Sequence, residues 1–255
     1  MPWIHNISVM NQAAAPAFSN LYSLDFDGID DVLNAGAHVL LGWNSTAAVQ
    51  PVSFSCWFKT SAGAGACNLW WTDNWYAPYW SYSTVAISST GTIILQIQKG
   101  TWGKLTVTNA GWNDGNWHHL AYTWNAQGPH YNHVDAGSTF YIDGSVEAHV
   151  RTGSIVSAVV PAGITRFFRA YGGYAIIGEE PSVWSKELSA PEVTELYNGG
   201  TPTDLSLHSA AADVVGWWRN GDGDVFPTII DHSGSGYDAN MDNMTAGDII
   251  LDVPP

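Results

Sequence analysis

Val52-Ser-Phe-Ser-Cys-Trp-Phe-Lys59 alternates almost without a break. Val52, Phe54, Cys56 and Phe58 fall on one side, and Ser53, Ser55 and Lys59 on the other, where Trp57 is the one large apolar residue. Successive side chains of a β-strand point to opposite faces, so a period of two predicts a strand that buries one face. The pattern recurs outward from this segment. Upstream, Tyr22, Leu24 and Phe26 alternate with Ser23 and Asp25; downstream, Ile93, Leu95 and Ile97 share one side of Thr92–Gln98, and Leu120, Tyr122 and Trp124 share one side of Trp117–Trp124. Asp27-Gly28, Asp114-Gly115 and Asp143-Gly144 punctuate the strands, each suited to a tight turn in which Gly takes a positive φ. Thr139–Ile142 and Ser145–Ala148, joined by Asp143-Gly144, read as a β-hairpin. Many short strands at this spacing predict an all-β jelly-roll β-sandwich of two antiparallel sheets.

One segment carries helix signals at both ends. Ser189 and Glu192 form a capping box, Pro191 stands in the first turn, and Gly199-Gly200 follow Tyr197, which predicts a helix of two turns at most. No internal repeat and no Pro-, Ser- or Gly-rich linker divides the chain. Residues 21–255 are therefore expected to form one domain. Residues 1–20 show neither period and are expected to be an extended arm, either free or lying on a neighbour.

Composition narrows the function. Of 255 residues, 45% are hydrophobic and only 12% charged, a balance that argues against disorder. Eight Lys and Arg against 23 Asp and Glu give a net charge of −15, which repels phosphate backbones and anionic membranes. Nucleic acid and membrane insertion are thus not expected. No apolar run approaches the ~18 residues of a membrane helix, and Met1–Asn20 has neither a basic nor a continuous apolar region of a secretion signal. Cys56 and Cys67 lack metal-ligand spacing; they could bridge a hairpin or remain two thiols.

The order of segments resembles a known family. "SLDFDGIDDVL" (23–33), "VSFSCWFKT" (52–60), "NWHHLAYTWN" (116–125), "TFYIDGS" (139–145) and "IIGEEPSVWSKELSAPEVTELYN" (176–198) look like the laminin-G-like domains of the concanavalin A-like lectin/glucanase superfamily. "DVVGWWRNGDGDVFPTIIDHSGSGYDANMDNM" (213–244) looks like that family's opening strand, here placed last. A sandwich with close termini tolerates such a permutation. The tail-last order is similar to laminin-G-like proteins of bacteriophages, particularly marine ones. That resemblance implies a virion surface protein, a capsid decoration or fibre component, which assembles with other virion proteins, forms a homo-oligomer and adheres to surface polysaccharide; the alternative is a free-standing carbohydrate-binding lectin module.

The superfamily also includes retaining glycosidases, which place two carboxylates about 5 Å apart. Their Glu-x-Asp-x-x-Glu strand is absent here, as is a nucleophile elbow, so no enzymatic activity is expected. The most unusual stretch is Trp70–Tyr82, with Trp70, Trp71, Trp75, Tyr76, Tyr79, Trp80 and Tyr82. Exposed aromatic faces stack on sugar rings or anchor protein interfaces; buried ones are core, and these alternatives stay open. Asp27, Asp30 and Asp31 near the first strand, and Asp222, Asp224 and Asp231 in the tail, offer the oxygen ligands that Ca²⁺ takes, although Asp beside Gly is also turn chemistry. The resemblance implies a structural calcium ion there. His118 and His119 are adjacent on a strand and so cannot chelate one ion together.

Overall fold

The computed structural model describes residues 18–36, 51–61, 67–74, 81–99, 101–125, 137–153, 164–170 and 174–255. The chain folds as two antiparallel sheets. The first has the order β10-β9-β8-β3-β13-β1-β17, with β14 also paired to β13; the second runs β11-β7-β6-β5-β4-β12-β2-β16-β15. In chain order these are β1 Ser23–Phe26, β2 Val32–Gly36, β3 Val52–Lys59, β4 Cys67–Asn74, β5 Ser81–Ile87, β6 Ile93–Lys99, β7 Thr101–Val107, β8 Trp117–Trp124 and β9 Ser138–Ile142. There follow β10 Ser145–Glu147, β11 His149–Gly153, β12 Ile164–Ala170, β13 Ile176–Trp184, helix α1 Ala190–Tyr197, β14 Val214–Trp217, β15 Thr228–Ile229, β16 Ala239–Asp242 and β17 Ile249–Ile250.

The main core lies between the sheets. Phe54 of β3 stacks on both Trp70 of β4 and Phe167 of β12, with ring centroids 6.0 Å away in each case. Leu24, Phe26, Phe58, Leu120 and Tyr122 of the first sheet close on Leu69, Val85, Leu95 and Leu105 of the second. Cys56 and Cys67 are buried in this core as free thiols.

The expectation that β3 is half-buried needs correction: Val52 through Phe58 are all buried. The outer face of the first sheet is covered by α1 and the segment after it. Ala121, Tyr141, Trp184, Leu188, Val193, Leu196, Leu205, Ala210 and Trp217 form a second core there, and Trp57 on the same face packs against His119 and Tyr197. The helix begins as its capping pattern predicts, with Glu192 Oε2 accepting from the Ser189 backbone N–H at 2.7 Å and the Ser189 hydroxyl at 2.8 Å.

The tail supplies strands to both sheets. β14 pairs with β13, β17 with β1, and β16 with β2. Residues 18–20, assigned from sequence to a free or neighbour-bound arm, contact β14 and the residues after it. Phe18 stacks on Trp217 at 6.4 Å, the Arg219 guanidinium lies 4.4 Å over the Phe18 ring, and Arg219 Nη2 donates to the Ser19 carbonyl. Residues 1–17 lie outside the described residues.

Candidate functional site

Alternation along β4 decides the fate of the aromatic run. Trp70 points into the main core, 1% exposed, and is a packing residue. Its neighbour Trp71 points the other way. Tyr82 opens β5 on that same outer side, and the two rings lie 5.7 Å apart at 34°. Trp75, Tyr76, Tyr79 and Trp80 fall outside the described residues.

Register across the second sheet assembles what surrounds Trp71. One outward row runs Ile164, Asp73, Tyr82, Gln98, Trp102 from β12 to β7. The next runs Arg166, Trp71, Thr84, Gln96, Lys104, Thr152 from β12 to β11. A third places Arg169 beside Asn68 and continues through Ala86, Ile94, Thr106 and Val150. Core residues such as Trp70, Val85, Leu95 and Leu105 occupy the register between these rows on the opposite face.

The polar groups of this face brace the aromatic ones. Arg166 Nη1 donates to both oxygens of Asp73 at 3.1 Å each. The Arg169 guanidinium lies 4.7 Å over the Trp71 ring. Gln96 Nε2 donates to the Tyr82 hydroxyl. Thr84 Oγ1 donates to Asn68 Oδ1 at 2.7 Å and to the Trp70 carbonyl at 2.9 Å. Burial pushes the Tyr82 phenol above its ordinary value, an effect opposed by the Gln96 hydrogen bond, so at neutral pH it remains an O–H able to donate. Trp102 is 52% exposed at the far end of its row. The result is a sheet face with three aromatic rings, half-buried at Trp71 and Tyr82 and exposed at Trp102, and with side-chain donors and acceptors between them, the combination that contacts both the C–H faces and the hydroxyls of a sugar.

Trp102, Gln96, Gln98, Lys104, Arg166 and Arg169 were not read from sequence. They stand on separate strands and meet only through cross-strand register. The legible hint was the polar side of Thr92–Gln98.

The acidic candidates separate into two groups. Carboxylate oxygens of Asp27, Asp30 and Asp31 lie within 4.8 Å of one another. Asp27 Oδ1 accepts from the Ile29 N–H at 2.7 Å and Asp31 Oδ2 from the Asp27 N–H at 2.9 Å. Burial and the neighbouring carboxylates raise the Asp31 carboxyl, while the Asp27 N–H lowers it. Asp222, Asp224 and Asp231 are not brought to them and serve the backbone. Asp222 accepts from Leu21 and Tyr22, Asp224 from Gly221 and Ile230, and Asp231 from Trp217, Ser233 and Tyr237. His118 and His119 diverge as alternation requires. His118 bonds Asp143 at 2.8 Å and Asp114 at 3.2 Å, whereas His119 is buried against Trp57.

No protein-family model matches the chain, and no curated protein is similar to it. Among solved structures the fold is similar to that of a candidate carbohydrate binding protein from Bacteroides ovatus, with a TM-score of 0.57 and 13% identity over 93% of this chain and 62% of that one. A weaker likeness, TM-score 0.43 and 13% identity, links 58% of this chain to 35% of the binding domain of Botulinum neurotoxin DC solved in complex with rat synaptotagmin II. The chain thus spans less than two thirds of the length of either structure. At this identity the likeness to the Bacteroides protein shows a shared fold, an all-β sandwich of two antiparallel sheets.

Proposed function

We propose that this protein is a non-enzymatic adhesion module that binds polysaccharide on the outer face of its second sheet. The observation that carries this reading is the alignment of Trp71, Tyr82 and Trp102 with Gln96, Gln98 and the Arg166–Asp73 pair on adjacent outward rows. A sheet face of this length, exposed at Trp102, suits a polymer better than a small molecule, which pockets enclose. Asp73, the one carboxylate of these rows among the described residues, is held by Arg166, which supports binding without acid–base chemistry. The Bacteroides protein of the same fold supports the same ligand class. Display on a virion, with other virion proteins as partners and in a homo-oligomer, is the setting proposed from the tail-last, laminin-G-like order of the sequence.

The proposal includes a structural calcium ion at Asp27, Asp30 and Asp31, whose hard oxygen donors within 4.8 Å suit it. Asp222, Asp224 and Asp231 are left out because, among the described residues, their carboxylate oxygens do not converge as those of Asp27, Asp30 and Asp31 do.

A glycan array of bacterial and algal polysaccharides, read with calcium and with chelator, tests the reading. The expected result is binding that Trp71→Ala and Trp102→Ala each weaken by tenfold or more, about 1.4 kcal/mol, with the thermal midpoint raised by calcium. Folded protein that binds no glycan, or binds equally after both substitutions, removes the face from consideration.

A further inference from the structure

The binding face is charged against the rest of the molecule. The chain carries −15, yet three of its eight basic side chains, Lys104, Arg166 and Arg169, stand on the outward rows around Trp71. Asp73 is the one carboxylate of these rows among the described residues, and it pairs with Arg166. Lys104 takes part in none of the ion pairs among the described residues. The cations span the platform from β12 to β7, four strand spacings or roughly 19 Å. At physiological salt, screening cuts charge effects off over about 8 Å, so a ligand lying on this face meets these cations rather than the carboxylates elsewhere.

Aromatic rings alone hold neutral and charged sugars alike. A guanidinium fixed over an indole and an ammonium at the opposite end of the rows add recognition of anionic groups, since guanidinium matches carboxylate and sulfate geometry and ammonium acts as a point charge. From this charge complementarity we infer that the polymer bound is an anionic polysaccharide, its carboxylate or sulfate groups meeting Arg169 and Lys104 while its rings lie against Trp71, Tyr82 and Trp102. The inference rests on the glycan-binding reading of the same face and specifies its ligand class.

The full chain is titrated by affinity electrophoresis and calorimetry against two matched pairs, polygalacturonate with its methyl ester and dextran sulfate with dextran. Within each pair, only charge changes substantially. The expected result is at least about tenfold tighter binding of the charged member, with the advantage shrinking as NaCl rises from about 50 to about 500 mM. Which pair shows the larger advantage distinguishes carboxylate from sulfate. Lys104→Gln should erode the advantage and leave neutral binding in place, because it does not touch the Trp71 stack, whereas Arg169→Gln, which removes the guanidinium over Trp71, should erode the advantage and weaken neutral binding as well. Equal binding within both pairs, or no effect of either substitution, overturns the anionic specificity and leaves the glycan reading standing. Charged polymers that bind equally well to Trp71→Ala and Trp102→Ala also overturn it, because that is adsorption without the platform. Failure of the folded protein to bind any of the four polymers overturns both.

Discussion

At the residue scale, the sharpest consequence lies in the bulge of β13, where Glu179 and Glu180 are both buried and Glu180 has φ +48°. Trp217 Nε1 and Arg219 Nε donate to the Glu180 carboxylate, the latter at 3.4 Å. Burial nevertheless dominates, pushing Glu180 from 4.5 up to about 8 and Glu179 well above its ordinary value. A carboxyl raised in the fold lends stability that is complete below its unfolded value near 4.5 and is lost as pH rises through about 8. Two groups act in the opposite direction. Burial pushes His119 down to about 4, so its contribution is lost as pH falls from 6.5 toward 4. Burial would raise Glu192, but Lys186 and Ser189 outweigh it and bring the carboxyl to about 2, so its contribution is lost below about 4.5. The thermal midpoint should therefore decline from mildly acidic pH toward pH 9. Glu180→Gln keeps an acceptor for Trp217 without titrating and should flatten that decline. A variant whose midpoint falls with the same slope as the parent would show that Glu180 is ionised throughout.

The same scale shows what one residue's neighbours can and cannot reveal. Trp70 and Trp71 are identical in type and adjacent, and alternation alone separated a core residue from a platform residue. Local sequence contained that parity but not its sign, because a bulge between Asn68 and Trp70 resets which side faces in. The divergence of His118 and His119 was legible because no bulge interrupts the pairing of β8 with β3.

At the scale of elements, β3 and β8 form with the bounds their alternation predicts, whereas β12 carried no such pattern. Its Phe167 and Phe168 both enter the core, because Phe168 adopts φ +54° and so departs from the regular strand backbone. The space is provided opposite by Gly178, where a Cβ would stand 2.6 Å from the Phe168 ring. A period of two cannot register such a strand. The β9–β10 hairpin was legible for the converse reason. Asp143 at φ +50° and Gly144 at φ +74° make the primed turn that a two-residue loop demands. Asp143 also accepts from the His119 N–H at 2.8 Å, so the turn is tied to β8. Gly144→Ala would strain the left-handed backbone and place a Cβ 2.9 Å from the Tyr197 ring. The expected loss is about 1–2 kcal/mol, read as a lower urea midpoint at unchanged m-value. An unchanged midpoint would mean that the turn relaxes away from Tyr197 at no cost.

At the scale of the whole molecule, the sandwich is closed by its last residues. β17 lies beside β1, the Ser23 hydroxyl donates to the Asp252 carbonyl at 2.5 Å, and Asp222 accepts from the backbone N–H groups of Leu21 and Tyr22. In sequence this tail resembles a family's opening strand out of its usual order, but nothing there indicates that it would edge both sheets. Nor did it show that two outward rows of the second sheet would gather cations from β12 and β7. Both are consequences of pairing between segments far apart in the chain, for which no local pattern exists.

The closure itself can be tested by changing the order of the chain while keeping every residue. Joining Pro255 to Met1 and opening the backbone between Ala212 and Asp213 moves the tail to the front, the order usual in the family it resembles. Residues 1–17 then serve as the connecting segment, and Phe18 keeps its place on Trp217. The pairings of β14, β16 and β17 are all antiparallel contacts with strands of the other part, so none depends on the peptide bond being cut. The hydrogen bond from the Ser185 N–H to the Asp213 carbonyl at 2.8 Å holds the new end against β13. The permuted chain should fold with an unchanged β-sheet circular dichroism spectrum, a thermal midpoint within a few degrees of the parent, and undiminished polysaccharide binding. An insoluble product, or a folded one that has lost binding, would show that the tail must dock last for the second sheet to acquire its outer face.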